Sequence, residues 1–189
     1  MPVLTLVAGP NGSGKSTLTA AIAFDRVTTL VDPDAIARQL DAAQPSRVAL
    51  AAARQAILRC RSLLAAGDSF ILESTLAGNG AISLMRDAKQ AGYRTLLIYV
   101  ALADPELHIE RVRLRVSRGG HDIPDSDIRR RYWRSLSRAP LAMRLADETL
   151  VLDNSGMEPV RVLMLRHGRL TWRAELLPSW TQSLTADLT

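Results

Sequence analysis

The sequence is short of several features, and each shortage excludes a class of protein. Its 189 residues include one cysteine, Cys60, so an intramolecular disulfide cannot form. The longest apolar stretches, residues 1–8 and 95–103, fall far below the ~20 residues that span a bilayer, so we expect no membrane partner. No basic and apolar leader precedes the first predicted strand, and a cytoplasmic location is the expectation.

Aromatic residues and lysines are also scarce. Aromatics make up 4% of the chain, and only Lys15 and Lys89 are lysines, so 22 of the 24 basic residues are arginine. The formal net charge of +5 would suit a polyanion, but few aromatic rings are present to stack on bases, and we expect no nucleic-acid partner. The arginine excess reflects either a coding bias or a need for bidentate phosphate ligands.

Strand-like and helix-like patterns alternate from the first residues onward, which predicts an α/β fold with a mainly parallel sheet. Five strands are predicted, at residues 3–8, 28–31, 69–72, 93–101 and 149–153. Helices are predicted at residues 15–24, 32–40, 46–66, 81–91, 104–118, 125–137 and 140–146. In the long helix over 46–66, the apolar positions Leu50, Ile57, Cys60 and Leu64 are predicted to face the core.

The predicted domain organisation is a single domain in two parts. Residues 1–156 form the core, with a helical lid at about 104–138, and residues 157–189 add a C-terminal segment. In that segment, apolar runs flank His167-Gly168, which predicts a β-hairpin. The polar tail after Pro178 is expected to be loosely ordered.

A glycine-rich motif follows the first predicted strand and opens the first helix. The motif G-x-x-x-x-G-K-[ST] cradles phosphates with backbone N–H groups, and the following helix directs its positive end at the anion. Lys15 is expected to reach the outer phosphates of ATP, and Ser16 to supply a hydroxyl to Mg²⁺. The residues of this predicted phosphate-binding loop are Gly9, Pro10, Asn11, Gly12, Ser13, Gly14, Lys15, Ser16 and Thr17.

Acidic residues follow three predicted strands, at the edge where open α/β sheets bind ligands. Asp104 precedes proline and is interpreted as a helix cap, whereas Asp32 fits a cap or a site residue equally well. Asp34 is not needed as a cap, so it is a candidate proton acceptor for a substrate hydroxyl. Glu73 ends an apolar run and is predicted either to recognise a substrate hydroxyl or to hold Mg²⁺ through water.

Two arginine-rich helices are predicted between residues 104 and 138. One interpretation is a pair of solvated amphipathic helices, and the other is a lid whose guanidinium groups neutralise a transferring phosphoryl group. His121 lies in the intervening loop, where we expect a local hydrogen-bonding role and not catalysis. Asn154 follows the fifth strand, and is predicted either to border the nucleotide base or to serve turn formation.

Taken together, these motifs resemble the zeta-toxin family of P-loop kinases. The resemblance covers residues 3–156 and depends on the loop, Asp32-Pro-Asp34, Glu73-Ser-Thr75, Arg118-Gly-Gly-His-Asp-Ile-Pro and Asp153-Asn-Ser. It implies a P-loop NTPase-type three-layer fold with a five-stranded parallel sheet. The implied activity is ATP-dependent phosphorylation of the 3′-hydroxyl of UDP-N-acetylglucosamine, and the implied partner is an antitoxin protein.

The resemblance also implies roles for single residues. Lys15 and Ser16 would hold nucleotide and metal, Asp34 would accept the proton, and Glu73 with Thr75 would bind the substrate. Two lid arginines would contact the phosphates. Arg118 and Arg131 fit best, with three alternatives that counting leaves open, namely Arg115, Arg130 and Arg134.

The predicted function is therefore an ATP-dependent kinase acting on a small-molecule hydroxyl, with a UDP-sugar as the candidate acceptor. One alternative is a P-loop kinase for another metabolite or for a nucleic-acid 5′ end. A second alternative is a nucleotide-binding partner module without turnover.

Overall fold

A seven-stranded sheet with helices on both faces forms the centre of the chain. The computed structural model describes residues 1–25 and 28–186, with backbone alone at 22–25. The strands are β1 (Val3–Ala8), β2 (Thr29–Val31), β3 (Phe70–Ser74), β4 (Arg94–Ala101), β5 (Glu148–Asp153), β6 (Val160–Arg166) and β7 (Arg169–Arg173). The helices are α1 (Lys15–Asp25), α2 (Pro33–Leu40), α3 (Ala49–Ala66), α4 (Gly80–Gln90), α5 (Pro105–Ser117), α6 (Asp125–Leu145) and α7 (Gln182–Thr185).

The strand order creates a binding crevice at the carboxyl end of β1. The order is β2-β3-β1-β4-β5-β6-β7, and the first five of these strands are parallel. The connection that follows β1 leads to β2 at one edge of the sheet, whereas the connection from β3 to β4 crosses toward the other edge. The crossovers therefore diverge at β1. In open α/β sheets, ligands bind where the connections diverge in this way. The predicted α/β class is thus confirmed.

The predicted hairpin extends the same sheet, which therefore has two more strands than the predicted five. β6 pairs antiparallel with β5, and β7 pairs with β6. The turn places His167 at φ 50° and Gly168 at φ 74°, the left-handed pair that a two-residue hairpin turn requires. The hairpin strands join the same sheet as the parallel strands because β5 is the last parallel strand, and its outer edge is free to pair with β6.

Two details of the predicted helices are wrong. The segments 125–137 and 140–146 form the single helix α6, which runs through Pro140. Proline removes one helical hydrogen bond, but buried side chains on both sides of it, including Leu136 and Met143, hold the two halves on the same core. In α3, the buried face consists of Ala52, Ala56 and Cys60, whereas Leu50 is 67% exposed.

Cys60 is a core thiol, as predicted, and burial raises its pKa to about 12. Among the residues that the structure describes, no helix combines the length and the apolar character required to cross a bilayer.

The tail after Pro178 is packed instead of loose in its described part. A 3-10 turn over Ser179–Thr181 leads into α7. Trp180 is 5% exposed, lies 6.3 Å from the Tyr99 ring centre and donates its indole N–H to Asp153 Oδ1 at 3.2 Å. One aromatic side chain in a mostly polar tail therefore anchors the segment beside the end of β5.

We predict that Trp180→Ala lowers the free energy of unfolding by about 3 kcal/mol, because a buried aromatic group and its hydrogen bond are lost together. Trp133, which is 62% exposed, provides the matched control, and Trp133→Ala should cost less than about 1 kcal/mol. Urea unfolding of both variants measures the difference. Equal losses would contradict the docking of the tail.

Candidate functional site

The predicted phosphate-binding loop connects β1 to α1, as predicted, and it lies where the crossovers of the sheet diverge. The loop passes very close to β4, since a Cβ built on Gly9 would lie 1.9 Å from the Val100 carbonyl oxygen. Gly9, Gly12 and Gly14 all have positive φ angles, which L side chains rarely adopt. Glycine is therefore required here both by conformation and by the close approach of neighbouring backbone.

Lys15, the first residue of α1, is enclosed in the loop. Its side chain is buried, and Nζ donates to the Pro10 carbonyl at 2.9 Å. Burial lowers the pKa of Lys15, and the nearby carboxylates of Glu73, Asp34 and Asp32 oppose that effect. An ammonium group has three donors, so two remain for an anion in the loop.

Glu73, at the end of β3, contacts the start of α1. Ser16 Oγ donates to Glu73 Oε2 at 3.0 Å, and Thr19 Oγ1 donates to Glu73 Oε1. The Glu73 side chain is buried, and burial raises its pKa while the Thr19 hydrogen bond and Lys15 lower it. Of its two predicted roles, this position beside Ser16 favours the magnesium role, and substrate binding stays a prediction. Thr75, two residues later, lines the same cleft.

A hydroxyl and a carboxylate side by side are a donor set that suits Mg²⁺, which usually takes one or two protein oxygens together with phosphates and water. In the part of the chain that the structure describes, no group of three or more His, Cys, Asp or Glu side chains could hold a metal. The hydroxyl of Ser16 and the carboxylate of Glu73 fit a nucleotide-associated magnesium ion.

Asp32 and Asp34 have separate positions at the start of α2. Asp32 Oδ1 accepts from the Asp34 N–H at 2.8 Å and caps the helix, and Arg38 lies 3.6 Å from Asp32. The Asp34 carboxylate is 45% exposed and lines the cleft, 4.0 Å from His121 Nε2. The cap is thus made by Asp32, and the Asp34 side chain is available to a ligand.

The lid comprises α5, residues 118–124 and the first half of α6. Arg118 directly follows α5 and lines the cleft, while Arg131 Nη1 donates to Asn11 Oδ1 at 3.2 Å. Arg115 is held by its Nη2 bond to the His121 carbonyl at 3.1 Å, and its buried Nε has no partner. Six arginines of the lid line the cleft: Arg111, Arg115, Arg118, Arg130, Arg131 and Arg134.

Which lid arginines contact phosphate stays a prediction, but their present partners differ. Arg130 Nη2 lies 2.8 Å from Asp127 Oδ1, and Arg131 Nη2 lies 3.5 Å from Asp127 Oδ2. Arg118 has no ion pair among the described residues. Arg115, which the sequence left open as an alternative phosphate ligand, lines the cleft and has an Nε without a hydrogen-bond partner. It therefore joins Arg118 and Arg131 as a candidate phosphate ligand.

Asn154, which was predicted to border the base, contacts the phosphate loop. Its Nδ2 donates to the Ser13 carbonyl at 2.8 Å. The loop after β5 also places Met157 and Pro159 at the cleft. The base-binding prediction for Asn154 is left untested by this contact.

His108 is a site residue that the sequence analysis missed. It is fully buried, Nδ1 lies 2.7 Å from the Asn11 carbonyl, and Nε2 lies 3.2 Å from the Leu102 nitrogen. Since the Leu102 N–H can only donate, Nε2 accepts and Nδ1 carries the proton. Burial lowers the pKa of His108 to about 4. The sequence feature that could have identified His108 is its spacing, four residues before Val112 on the apolar face of α5.

These elements enclose one cleft of about 1390 Å³. A single small ligand usually occupies roughly 300–1,000 Å³, so the cleft has room for a nucleotide and a second molecule. Lys15 and Ser16 line it from the loop, Asp34 and Glu73 from neighbouring strand ends, and the arginines from the lid.

Comparison with known proteins places this chain in a family. A family model described as AAA domain matches residues 4–137. The chain belongs to this AAA domain family. An uncharacterized protein of Haemophilus influenzae is 36% identical over 124 residues, which cover 66% of this chain and 88% of that protein. Membership of the narrower zeta-toxin family stays a prediction.

Solved structures resemble this AAA domain in fold. The AvrRxo1-ORF1:-ORF2 structure with ATP has a TM-score of 0.74 at 16% identity, covering 100% of this chain and 65% of that chain. The PezAT toxin–antitoxin system of Streptococcus pneumoniae has 0.64 at 15%, covering 85% and 70%. Shikimate kinase of Acinetobacter baumannii with shikimate has 0.51 at 18%, covering 79% and 82%. The fold of the AAA domain is therefore P-loop kinase-like.

We predict that His108 makes stability depend on pH below neutrality. Its folded-state pKa of about 4 lies below the ordinary value, so its stabilising effect is present above pH 6.5 and is lost as the pH falls toward 4. Between pH 7 and pH 4.5, wild type should lose about 2 kcal/mol more unfolding free energy than His108→Gln. Urea unfolding at both pH values tests this, and equal losses would contradict it.

Proposed function

We propose that this protein is an ATP-dependent kinase that transfers the γ-phosphate to a hydroxyl of a small molecule. The observation that carries the proposal is the single cleft lined by Lys15, Asp34, Glu73 and the lid arginines. A phosphate-binding loop alone would suit any nucleotide-binding protein. A carboxylate available to a ligand and a set of cations on the same cleft are what phosphoryl transfer to a second molecule requires.

The loop is the proposed site for the phosphate chain of ATP. Its backbone N–H groups and the Lys15 ammonium would bind the outer phosphates, and the positive end of α1 adds to the attraction. Ser16 and Glu73 would hold Mg²⁺, directly or through water. When bound, magnesium neutralises charge on the β- and γ-phosphates.

Asp34 is the proposed general base. The acceptor hydroxyl would give its proton to an Asp34 carboxylate oxygen as its own oxygen forms a bond to the γ-phosphorus, and the bond from phosphorus to the oxygen of ADP breaks. Arg118, Arg131 and Arg115 would neutralise the charge that the transferring group carries. The lid position of these arginines suits that role, because they face the loop across the cleft.

UDP-N-acetylglucosamine is the acceptor that we propose first, with Glu73 and Thr75 near its hydroxyl, and a toxin role with an antitoxin partner goes with it. The sequence resemblance to zeta toxins supports this choice. The fold similarity to the PezAT toxin–antitoxin system also supports it. The similarity to shikimate kinase, solved with shikimate, keeps other small hydroxyl compounds in the panel of candidates.

The test is phosphorylation of an acceptor panel with γ-labelled ATP. The panel contains UDP-sugars, shikimate-like alcohols, nucleosides and 5′-hydroxyl oligonucleotides. We expect label on a small-molecule hydroxyl, and a rate that Lys15→Ala lowers by about two to four orders of magnitude, since a preorganised charge contact is lost. Label on oligonucleotides alone would favour the nucleic-acid alternative, and ATP binding without any transfer would favour the partner module.

Asp34→Asn tests the base separately from the nucleotide site. The substitution keeps the size of the side chain but removes the proton acceptor, so transfer should fall by about a hundred- to ten-thousand-fold. ATP affinity and the melting temperature should stay near wild type, because Asp32 caps α2. Calorimetry, thermal melting and transfer rates are measured on one sample of the variant. A loss of stability with intact transfer would refute the role of Asp34 as general base.

A further inference from the structure

Two side chains from outside the phosphate-binding loop hold its backbone. His108 Nδ1 donates to the Asn11 carbonyl at 2.7 Å, and Asn154 Nδ2 donates to the Ser13 carbonyl at 2.8 Å. The two carbonyls are two residues apart in the loop. The two side chains come from different elements, since His108 lies in α5 and Asn154 follows β5.

Peptide geometry converts these contacts into an orientation of the loop. A carbonyl and the next residue's N–H belong to one planar trans unit, so they point in opposite directions. With the Asn11 carbonyl turned to His108, the Gly12 N–H points away from α5. With the Ser13 carbonyl turned to Asn154, the Gly14 N–H points away from the β5 loop.

We propose that His108 and Asn154 are positioning residues that orient the Asn11–Gly12 and Ser13–Gly14 peptide units, so that the N–H groups of Gly12 and Gly14 face a bound phosphate chain. The proposal rests on the proposed nucleotide site, and it goes beyond it by assigning the shape of the loop to two residues outside the motif.

The glycines of the motif match these contacts sterically. A Cβ on Gly12 would lie 2.6 Å from the His108 carbonyl oxygen, and a Cβ on Gly14 would lie 2.4 Å from Asn154 Nδ2. Both residues also have positive φ, 77° and 94°. The absence of side chains at these two positions is what lets the positioning residues approach the loop backbone.

Each positioning residue is itself held by the carboxyl end of β4. His108 accepts from the Leu102 N–H at 3.2 Å, and its ring packs edge-on against Tyr132 with centres 5.2 Å apart. The backbone N–H of Asn154 donates to the Ala101 carbonyl at 2.9 Å. Groups fixed on rigid strand ends orient a loop more accurately than groups on mobile segments.

The chemistry of the imidazole suits a permanent donor. Nδ1 carries the proton because Nε2 accepts from Leu102, and the low pKa, about 4, keeps this neutral form at physiological pH. Arg131 holds the side chain of Asn11 at its Oδ1, so His108 and Arg131 together hold both carbonyl groups of that residue.

The experiment compares binding of ATP with binding of inorganic tripolyphosphate, which has no base or sugar. Isothermal titration is performed on wild type, His108→Leu, His108→Asn and Asn154→Ala, with His167→Asn in the exposed hairpin turn as the control. We expect His108→Leu and Asn154→Ala each to raise the Kd for both ligands by the same factor, about tenfold. His108→Asn, which keeps a donor near Nδ1, should recover most of the affinity.

Three results would overturn the proposal. If Asn154→Ala weakens ATP and leaves tripolyphosphate unchanged, Asn154 is a base contact. If His108→Leu lowers the melting temperature while the folded protein binds both ligands normally, the role of His108 is structural. If wild type binds neither ligand, the anion site itself is absent.

The titration remains decisive in two less simple cases. Should His108→Leu fail to fold, the other two variants still decide. Tight binding of both ligands to His108→Asn would support the proposal for His108. Tight binding of both ligands to Asn154→Ala would overturn the proposal for Asn154. If wild type binds both ligands but transfers no phosphate to any acceptor, the kinase proposal fails and the positioning proposal is judged by the same Kd values.

Discussion

The enclosed charge of Lys15 is the constraint on which the rest of the site depends. Burying an ammonium group is costly unless hydrogen bonds and opposite charges accompany it. Here a single carbonyl, that of Pro10, accepts from Nζ. The carboxylates of Glu73, Asp34 and Asp32 supply the opposing charge. All three lie at strand or helix ends that the parallel sheet brings to one edge, so the sheet order supplies the charges that offset the burial of Lys15.

The same arrangement determines the chemistry of Glu73. It is buried beside a cation, and two hydroxyls of α1 donate to it. These hydrogen bonds stabilise the charged form against the effect of burial. A carboxylate held in this way beside Ser16 has its oxygens oriented before any ligand binds, which is the preorganisation that metal and phosphate sites need.

The lid adds positive charge that the core does not neutralise. Arg113 and Arg129 on the outer faces of α5 and α6 pair with Asp125 and Glu106, and such exposed pairs contribute little stability. The arginines facing the cleft have fewer acidic partners. Arg115 shows this most clearly, because its buried Nε has no partner. Unpaired guanidinium groups across from a phosphate loop favour an anion between the two.

The sequence by itself determined whatever is encoded by short spacing. The loop motif, the cap at Asp104, the alternation of strand and helix, and the hairpin turn at His167-Gly168 all depend on residues a few positions apart. Each therefore leaves a local pattern. Local pattern also explains the errors. Helical spacing put Leu50 in the core, and α6 was predicted as two helices, the second beginning at Pro140, because proline suits a helix start.

Only the tertiary structure decided which distant residues meet. The contact of His108 with Asn11 joins residues 97 apart, and that of Asn154 with Ser13 joins residues 141 apart. Nothing in the neighbourhood of either residue encodes such a contact, because it arises from the order of strands in the sheet. The joining of the hairpin to β5 and the burial of Trp180 have the same origin. Packing of whole elements, and not local preference, placed these groups.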